Sequence, residues 1–236
     1  MLLSKEKKPF FSMGIKSSNI NQLKSVFATI NADSCPFQYN FHLHTNCSDG
    51  QLSPESLMEQ ALQIGLQDLA ITDHHSVKGY FRACEWMFRK KSLNPGLNLP
   101  HLWTGIEITS NLNGTNVHIL GYGFDPDCST LQKYLTGESP EGRDAQARQV
   151  INVLHEAGAL VVLAHPARYR RPAVELIEEV YQLGIDGVET YYSYGNSQPW
   201  QPSARQTETV KTMADKYHLL QTCGTDTHGN NILVRL

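Results

Sequence analysis

The sequence predicts an α/β fold, namely a distorted, TIM-like (β/α)7 barrel of about seven strand–helix units. Short apolar runs alternate with amphipathic helical patterns along most of the 236 residues. The apolar runs are of the kind that a parallel sheet covered on both faces buries. Ionisable residues follow several of these runs directly, and polar side chains at the carboxyl ends of successive strands are typical of a barrel.

The elements can be placed in order along the chain. Residues 1–38 have weak periodicity and are expected to form an N-terminal arm or a short helix, ahead of one domain spanning residues 39–236. The predicted strands are Phe41–Leu43, Leu69–Ile71, Trp103–Ile108, Val117–Leu120, Ala159–Ala164, Ile185–Glu189 and Leu219–Thr222. The first predicted helix of the domain begins at Pro54 and ends near Gly65. The others span Lys78–Arg89, Gln146–Ala157, Val174–Leu183 and Thr207–Tyr217.

Composition restricts the class of protein. Apolar residues make up 40% and charged residues 18%, which is the balance of a globular protein with a core. The formal net charge of −3 excludes a general basic field that would attract nucleic acid or an anionic membrane. The five cysteines form no CxxC pair, and no apolar run is long enough for a signal peptide or a membrane span. These features predict a cytoplasmic protein without a membrane partner, and they leave the oligomeric state open.

The segment Phe41-His42-Leu43-His44 is the sharpest local pattern. Residues two apart on a strand face the same side, so both imidazoles point at one spot. Two neutral imidazoles on one face can hold a divalent metal ion, although two partly exposed histidines would give the same pattern. Asp49 follows in a turn and is close enough in sequence to reach the same spot, but an Asp in a turn also serves the turn itself.

Further ligand-type residues stand in or after the other apolar runs. Each could be a buried polar group that the core satisfies, yet a carboxylate such as Glu107 inside an apolar strand rarely lacks a partner. Asp73 could orient a neighbouring imidazole without binding metal itself. Together the candidate metal ligands are His42, His44, Asp49, His74, Glu107, His118, His165, Asp226 and His228.

The motifs that carry these residues are His42-Leu43-His44-Thr45, Ser48-Asp49-Gly50, Thr72-Asp73-His74, Glu107, His118, Ala164-His165-Pro166 and Asp226-Thr227-His228. In this order, from about Tyr39 to His228, they resemble the polymerase and histidinol phosphatase (PHP) superfamily. The resemblance implies a PHP-type barrel with a trinuclear metal site. It implies one ion held by His42, His44, Glu107 and Asp226, and a second held by His118 and His165 with Glu107 bridging. Asp49, His74 and His228 would hold a third.

Such a site suits phosphoester hydrolysis. Three carboxylates contribute −3 and three divalent ions +6, so a filled site would carry about +3 and attract a phosphate dianion. The expected cofactors are two to three ions of Mn, Zn or Fe, since mixed imidazole and carboxylate ligands admit all three. Bridged metals make a hydroxide available near neutral pH, so no Ser or Cys nucleophile is required. We expect Glu107, Asp226 and His228 to take part directly in catalysis.

The substrate is less defined. Arg168 follows His165-Pro166 and is the first candidate to grip a phosphate, with Arg143 and Arg148 as further candidates. The chain looks most like the 5′–3′ exoribonuclease and nucleoside 3′,5′-bisphosphate phosphatase branch, which implies a nucleotide or a nucleic-acid end as substrate. That branch carries an inserted domain for which the segment between His118 and His165 is too short. A phosphatase for a small metabolite such as histidinol phosphate, a non-catalytic metal-binding module and an amidohydrolase are the alternatives.

Overall fold

The computed structural model describes residues 20–236, so the first half of the predicted arm lies outside the described residues. The second half contains helix α1, Ile20–Phe27. Leu23 and Phe27 on this helix are buried, and Phe27 makes edge-to-face contacts with Phe41 and Tyr122. The helix therefore shares a hydrophobic core with the strands that follow it. The division of the chain at residue 38 stays a prediction.

The remaining elements alternate as the sequence predicts, with small shifts at their ends. The other helices are α2 (Pro54–Ile64), α3 (Lys78–Leu93), α4 (Ala147–Glu156), α5 (Ala173–Gln182) and α6 (Ala204–Tyr217). The strands are β1 (Tyr39–Asn40), β2 (Asp68–Ala70), β3 (His101–Trp103), β4 (Gly105–Leu112), β5 (Thr115–Tyr122), β6 (Leu160–Leu163), β7 (Gly187–Tyr191) and β8 (Leu220–Cys223). Two short 3-10 helices span Gln132–Tyr134 and Pro166–Arg168.

The strands form two sheets, which corrects the prediction of a closed (β/α)7 barrel. One sheet has the order β1-β2-β3 and is parallel, and the other has the order β4-β5-β6-β7-β8. Within the second sheet, β6, β7 and β8 are parallel, but β5 runs antiparallel to both β4 and β6. The predicted strand Trp103–Ile108 is divided between β3 and β4, and therefore between the two sheets.

The antiparallel strand follows from a tight turn between β4 and β5. Asn113 and Gly114 both have positive φ angles, 48° and 87°. Two positive φ values at the centre of a two-residue loop belong to the type I′ turn, for which Asn-Gly is the preferred sequence. The side chain of Asn111 accepts a hydrogen bond from the backbone N–H of Gly114 (3.0 Å). The chain therefore reverses here without a helix.

Backbone hydrogen bonds connect the two sheets at both junctions. Past the end of β1, Phe41 N donates to Cys223 O (3.0 Å), and past the end of β2, His75 N donates to Glu107 O (3.0 Å). Only isolated bridges continue these contacts, so residues 20–236 contain no closed barrel. The junctions nevertheless bring the carboxyl ends of β1, β2 and β8 beside β4, and the candidate ligands lie there.

The helices cover the sheets and complete the core. Helices α4, α5 and α6 contribute buried residues to the largest core cluster, whereas α2 and α3 pack with β2 in a smaller one. None of the helices within the described part of the chain is long and apolar enough to span a membrane. All five cysteines are free thiols.

Candidate metal centre

Unusual backbone conformations place two of the candidate ligands. His165 and Asp226 follow β6 and β8 with φ angles of 28° and 55°, a region that residues other than glycine rarely adopt. Such strain is found where function requires a fixed side-chain direction. Gly224 lets β8 approach the first strand closely, because a Cβ at this position would lie 2.2 Å from the Cβ of His42. The strained turns thereby direct His165 and Asp226 toward the His42-Leu43-His44 segment.

The Glu107 carboxylate lies at the centre of the cluster. One of its oxygens, Oε2, is 3.1 Å from Nε2 of His42 and 3.1 Å from Nε2 of His44. The other oxygen, Oε1, is 2.8 Å from Nδ1 of His118 and 3.5 Å from Nε2 of His165. Oε2 also lies 3.4 Å from Nε2 of His74. The two oxygens of a single buried carboxylate therefore face different sets of imidazoles, which is the arrangement of a bridging ligand.

The two carboxylate oxygens of Asp226 have different partners. One faces the imidazoles of the cluster, and the other accepts hydrogen bonds from three side chains. Its Oδ1 lies 3.4 Å from Nε2 of His42 and 3.2 Å from Nε2 of His44. Its Oδ2 accepts hydrogen bonds from the Tyr192 hydroxyl (2.7 Å), Arg235 Nε (2.9 Å) and Arg168 Nη1 (3.1 Å). These donors fix the carboxylate so that Oδ1 stays turned toward the imidazoles.

Asp49, His74 and His228 form the outer part of the cluster. His228 Nε2 is 3.2 Å from Asp49 Oδ2, and His74 Nε2 is 3.7 Å from the same oxygen. His44 reaches this part as well, because its Nδ1 lies 3.6 Å from Asp49 Oδ1. One donor atom from each of these four residues can be chosen so that all lie within 4.8 Å of one another. The turn that carries Asp49 therefore does reach the histidine pair.

Eight of the nine candidate ligands thus fall into overlapping groups of the size that a metal ion needs. The groups whose donor atoms converge are His42–His44–Glu107–Asp226, His44–Asp49–His74–His228 and His74–Glu107–His118. His165 lies outside these groups but contacts Glu107, as described above. The structure therefore brings all nine residues together, in a partition close to the one that the family resemblance implies. Their role as metal ligands remains a proposal.

The hydrogen bonds of the His228 and His42 imidazoles show which of their ring nitrogens could bind a cation. Nδ1 of His228 faces the Asp226 carbonyl oxygen (2.8 Å) and Nδ1 of His42 faces the Glu189 carboxylate (2.9 Å). Since both partners can only accept, each Nδ1 carries a proton, and in a neutral ring Nε2 presents a lone pair to the cluster. In His44 and His165 both ring nitrogens are buried without a hydrogen-bond partner. Lone pairs and carboxylate oxygens this close repel one another unless a proton or a metal ion lies between them, so the donor set fits divalent ions.

The charges within the cluster keep its carboxylates ionised. Burial raises the pKa of Glu107, but the charges of His42 and His118 outweigh burial and hold it well below its ordinary value. Burial lowers the pKa of His44, but the neighbouring carboxylates of Asp226 and Glu107 raise it to about 9. The pKa of His74 is lowered to about 4, because burial outweighs the nearby Glu107 carboxylate. Without metal ions, protons therefore occupy the imidazoles of His42 and His44.

Two further carboxylates support the cluster, and the role expected of Asp73 belongs to Glu189. Asp73 does not orient an imidazole, because its oxygens accept hydrogen bonds from Thr45 N (2.7 Å), Thr45 Oγ1 (2.7 Å) and Ser48 Oγ (2.8 Å). It thereby fixes the loop that leads to Asp49. The residue that orients imidazoles is Glu189, which accepts from His42 Nδ1 (2.9 Å) and from the backbone N–H of His165 (2.9 Å). Its position at the end of the predicted strand Ile185–Glu189 was the available sequence indication.

The candidate arginines separate into two places. Arg168 lines a small pocket next to Asp226, together with Tyr192, Tyr194, Asn196 and Arg235. Arg143 and Arg148 line a different groove of about 590 Å³, between the β4–β5 turn and helices α4 and α5. The structure thus brings Arg168 to the cluster and does not bring the other two into the same pocket. Sequence reasoning missed Arg235, because nothing in its local sequence distinguishes it from a surface arginine.

Comparison with known proteins identifies the fold family. The profile of the PHP domain matches residues 40–222, which is most of the chain. The chain belongs to the PHP domain family. The family resemblance of the sequence motifs is thereby confirmed. Asp226 and His228 lie just beyond the matched part, in the strained turn after β8.

The curated relatives are similar to this protein over about half of its chain. The 5′–3′ exoribonuclease Rnm of Salmonella typhimurium is 33% identical over 119 residues, covering 50% of this chain and 38% of the relative. The 3′,5′-nucleoside bisphosphate phosphatase of Chromobacterium violaceum is 32% identical over 119 residues, covering 50% and 39%. The phosphoribosyl 1,2-cyclic phosphate 1,2-diphosphodiesterase of Eggerthella lenta is 33% identical over 121 residues, covering 50% and 43%. The matched parts amount to less than half the length of these relatives.

Solved structures share the fold of the PHP domain over a larger part of the chain. A protein from Bifidobacterium adolescentis described as a metal-dependent phosphoesterase has a TM-score of 0.66 at 23% identity, covering 83% of this chain and 89% of its own. An amidohydrolase from Chromobacterium violaceum has a TM-score of 0.68 at 19% identity, covering 84% and 90%. At these identities the similarity concerns the fold alone.

Proposed function

We propose that this PHP domain is a metal-dependent phosphoesterase that holds two to three divalent ions. The observation that carries the proposal is the division of Glu107, whose two oxygens face different sets of imidazoles. His42, His44, Glu107 and Asp226 would hold one ion, and Glu107, His118 and His165 a second. Asp49, His74 and His228 would hold a third. Bound divalent ions supply a water of lowered pKa and positive charge for the phosphoryl oxygens.

The chain's own residues prepare the site for this chemistry. Glu107 and Asp226 remain ionised although both are almost completely buried, so they can neutralise cations that water does not reach freely. Hydrogen bonding at Nδ1 directs the Nε2 atoms of His42 and His228 into the cluster. We assign Glu107, Asp226 and His228 to direct catalytic roles, because their side chains belong to the groups that would hold ions in contact with a phosphoryl group. His228 is 16% exposed, whereas Glu107 and Asp226 are at most 2% exposed, so a substrate would arrive on the side of His228.

Nucleotides or the ends of oligonucleotides are the proposed substrates. The relatives named as exoribonuclease and nucleoside bisphosphate phosphatase support this choice. Arg168, which bonds to Asp226, would contact the reacting phosphate. Arg143 and Arg148 would contact more distant parts of a longer chain, because their groove is separate from the pocket with Arg168. A small-metabolite phosphatase is the second candidate, favoured by the short segment between His118 and His165.

Release of phosphate or of mononucleotides by Mn-loaded protein tests the proposal. The substrates would be adenosine 3′,5′-bisphosphate, a 5′-phosphorylated oligoribonucleotide, histidinol phosphate and an aryl phosphate. The variant Asp226→Asn should lose turnover, whereas Asp215→Asn, at an exposed position on α6, should retain it. Turnover of the bisphosphate or the oligonucleotide would support the nucleotide proposal, and turnover of histidinol phosphate alone would support the second candidate. No turnover with ions bound would contradict both.

A further inference from the structure

The pocket beside Asp226 has a composition suited to an anion. Its lining residues are Arg168, Tyr192, Tyr194, Asn196 and Arg235, and its volume is about 140 Å³. Two of these residues are cations, and no carboxylate is among the five. A cavity of ~150 Å³ accepts a molecule of the size of benzene, so this pocket has room for a phosphoryl group.

The pocket is separated from the candidate metal ligands by one carboxylate. Oδ1 of Asp226 faces the imidazoles of His42 and His44, while Oδ2 receives the Arg235 and Arg168 guanidinium groups. A phosphoryl group beside Asp226 can therefore face the metal cluster with one side and the two guanidinium groups with the other. The arginines would then contact the reacting phosphate and not a remote part of the substrate.

Arg235 is held in place by the backbone around it. Its carbonyl oxygen accepts hydrogen bonds from the N–H groups of His228 (2.7 Å) and Gly229 (3.2 Å). Ile232, three residues earlier, is completely buried, and its carbonyl accepts from the Asn40 side chain (3.1 Å). The Arg235 side chain is 16% exposed, compared with 43% for Arg168. Arg235 is thus the more preorganised of the two, although it lies beyond the part of the chain that the family profile matches.

We propose that Arg235, together with Arg168, binds the non-bridging oxygens of a terminal phosphate and selects phosphomonoesters over phosphodiesters. This inference rests on the proposed function. Guanidinium groups bind phosphate through paired N–H donors, and a monoester dianion offers three non-bridging oxygens with two charges. A diester offers two such oxygens with one charge. A substrate with a terminal phosphate therefore matches the two guanidinium groups better, both in charge and in the number of acceptor oxygens.

Binding of small anions to the metal-loaded protein tests the inference without turnover. The probes are inorganic phosphate and dimethyl phosphate, and calorimetry gives each Kd. We expect the parent to bind inorganic phosphate at least tenfold more tightly than dimethyl phosphate. Arg235→Gln should weaken phosphate binding at least tenfold and dimethyl phosphate binding less than threefold. Arg235→Lys should fall between the parent and Arg235→Gln, and Arg205→Gln, at an exposed position on α6, should bind like the parent.

The results separate this inference from its alternatives. Unchanged phosphate binding in Arg235→Gln would overturn it, and so would equal weakening for both probes together with a lower metal content. The second result would mean that Arg235 only positions Asp226. Metal content, measured by mass spectrometry, is therefore determined for each variant. If phosphate binding depends on Arg235 while the parent hydrolyses no substrate, the proposed function fails and the binding site remains.

Discussion

The inner and outer parts of the cluster hold similar residue types in very different surroundings. The side chains of His42, Glu107 and Asp226 are at most 2% exposed, and Glu189, Tyr192 and two arginines fix their orientation. In the outer part, Asp49 is 53% exposed, and His74 and His228 are 20% and 16% exposed. Water competes with a ligand more effectively at an exposed site. We therefore expect ions at the inner part to bind tightly and an ion at the outer part to exchange most readily.

The largest expected effect concerns Glu107. This residue belongs to both inner ligand groups, which are His42–His44–Glu107–Asp226 and Glu107–His118–His165. Glu107→Gln removes the charge that faces two sets of imidazoles, so both inner groups lose their common ligand. We expect metal content to fall by more than one ion per chain and phosphate release to fall by at least about 10³-fold. Mass spectrometry and the phosphate assay measure these effects. Glu208→Gln, at an exposed position on α6, is the control. Full metal content in Glu107→Gln would contradict a bridging role.

A smaller effect is expected at the residue that orients His42. One oxygen of Glu189 accepts from His42 and the other from the backbone N–H of His165. Glu189→Gln replaces one of these oxygens with an NH₂ group, so one of the two hydrogen bonds must be lost. Changes of this type weaken metal binding by about 10–100-fold. Competition with a chelator measures the affinity, and an unchanged affinity of the tightest ion would show that Glu189 does not support the inner part.

The outer part should lose one ion selectively. Asp49→Asn removes the only carboxylate among the outer ligands, while the inner groups keep Glu107 and Asp226. We expect the variant to retain the tightly bound ions and to lose the most weakly bound one, with about a tenfold loss of activity. Titration of metal-free protein with Mn²⁺, followed by calorimetry, resolves the sites. Asp215→Asn should show the parent's stoichiometry. Loss of all ions in Asp49→Asn would remove the proposed distinction between the two parts.

The smallest expected effect is a change with pH in the Tm of the metal-free protein. In the metal-free protein, the neighbouring carboxylates of Asp226 and Glu107 raise the pKa of His44 to about 9 despite its burial. A raised pKa means that the protonated imidazole stabilises the folded state fully below about 6.5, and that this contribution is lost as pH rises through about 9. We therefore expect the Tm of metal-free protein to decrease between pH 7 and 9. Metal binding at pH 7 should release at least one proton, which calorimetry in buffers of different ionisation enthalpy detects. No proton release would contradict competition between protons and metal ions.

The convergence of the candidate ligands could be predicted because their pattern is local. His42 and His44 share a face through the period of a strand, and Asp226 and His228 stand two apart in a turn after another strand. Glu107 stands out because a carboxylate in an apolar strand requires compensation. These arguments depend on residue type and spacing, so they survive errors in the predicted topology.

Features that depend on contacts distant in sequence were missed. Arg235 reaches Asp226 only because residues 229–236 fold back onto the site, which no periodicity indicates. The antiparallel orientation of β5 is a different case, because it could have been predicted from the sequence. Asn113-Gly114 is a typical hairpin sequence, but the predicted barrel of parallel strands did not take this turn into account. The break between β3 and β4 likewise depends on tertiary packing. Gly105, the first residue of β4, lies so close to the Ile71 backbone that a Cβ at this position would be 2.5 Å from the Ile71 carbonyl oxygen.

The central claim is that Glu107 joins two metal sites, and anomalous diffraction from a crystal of Mn-loaded protein tests it most directly. The account predicts one peak among His42, His44, Glu107 and Asp226, and a second beside His118 and His165 that shares Glu107. A third, weaker peak would lie near Asp49 and His228. Peaks absent from this cluster, or a single peak that contacts only one oxygen of Glu107, would contradict the account.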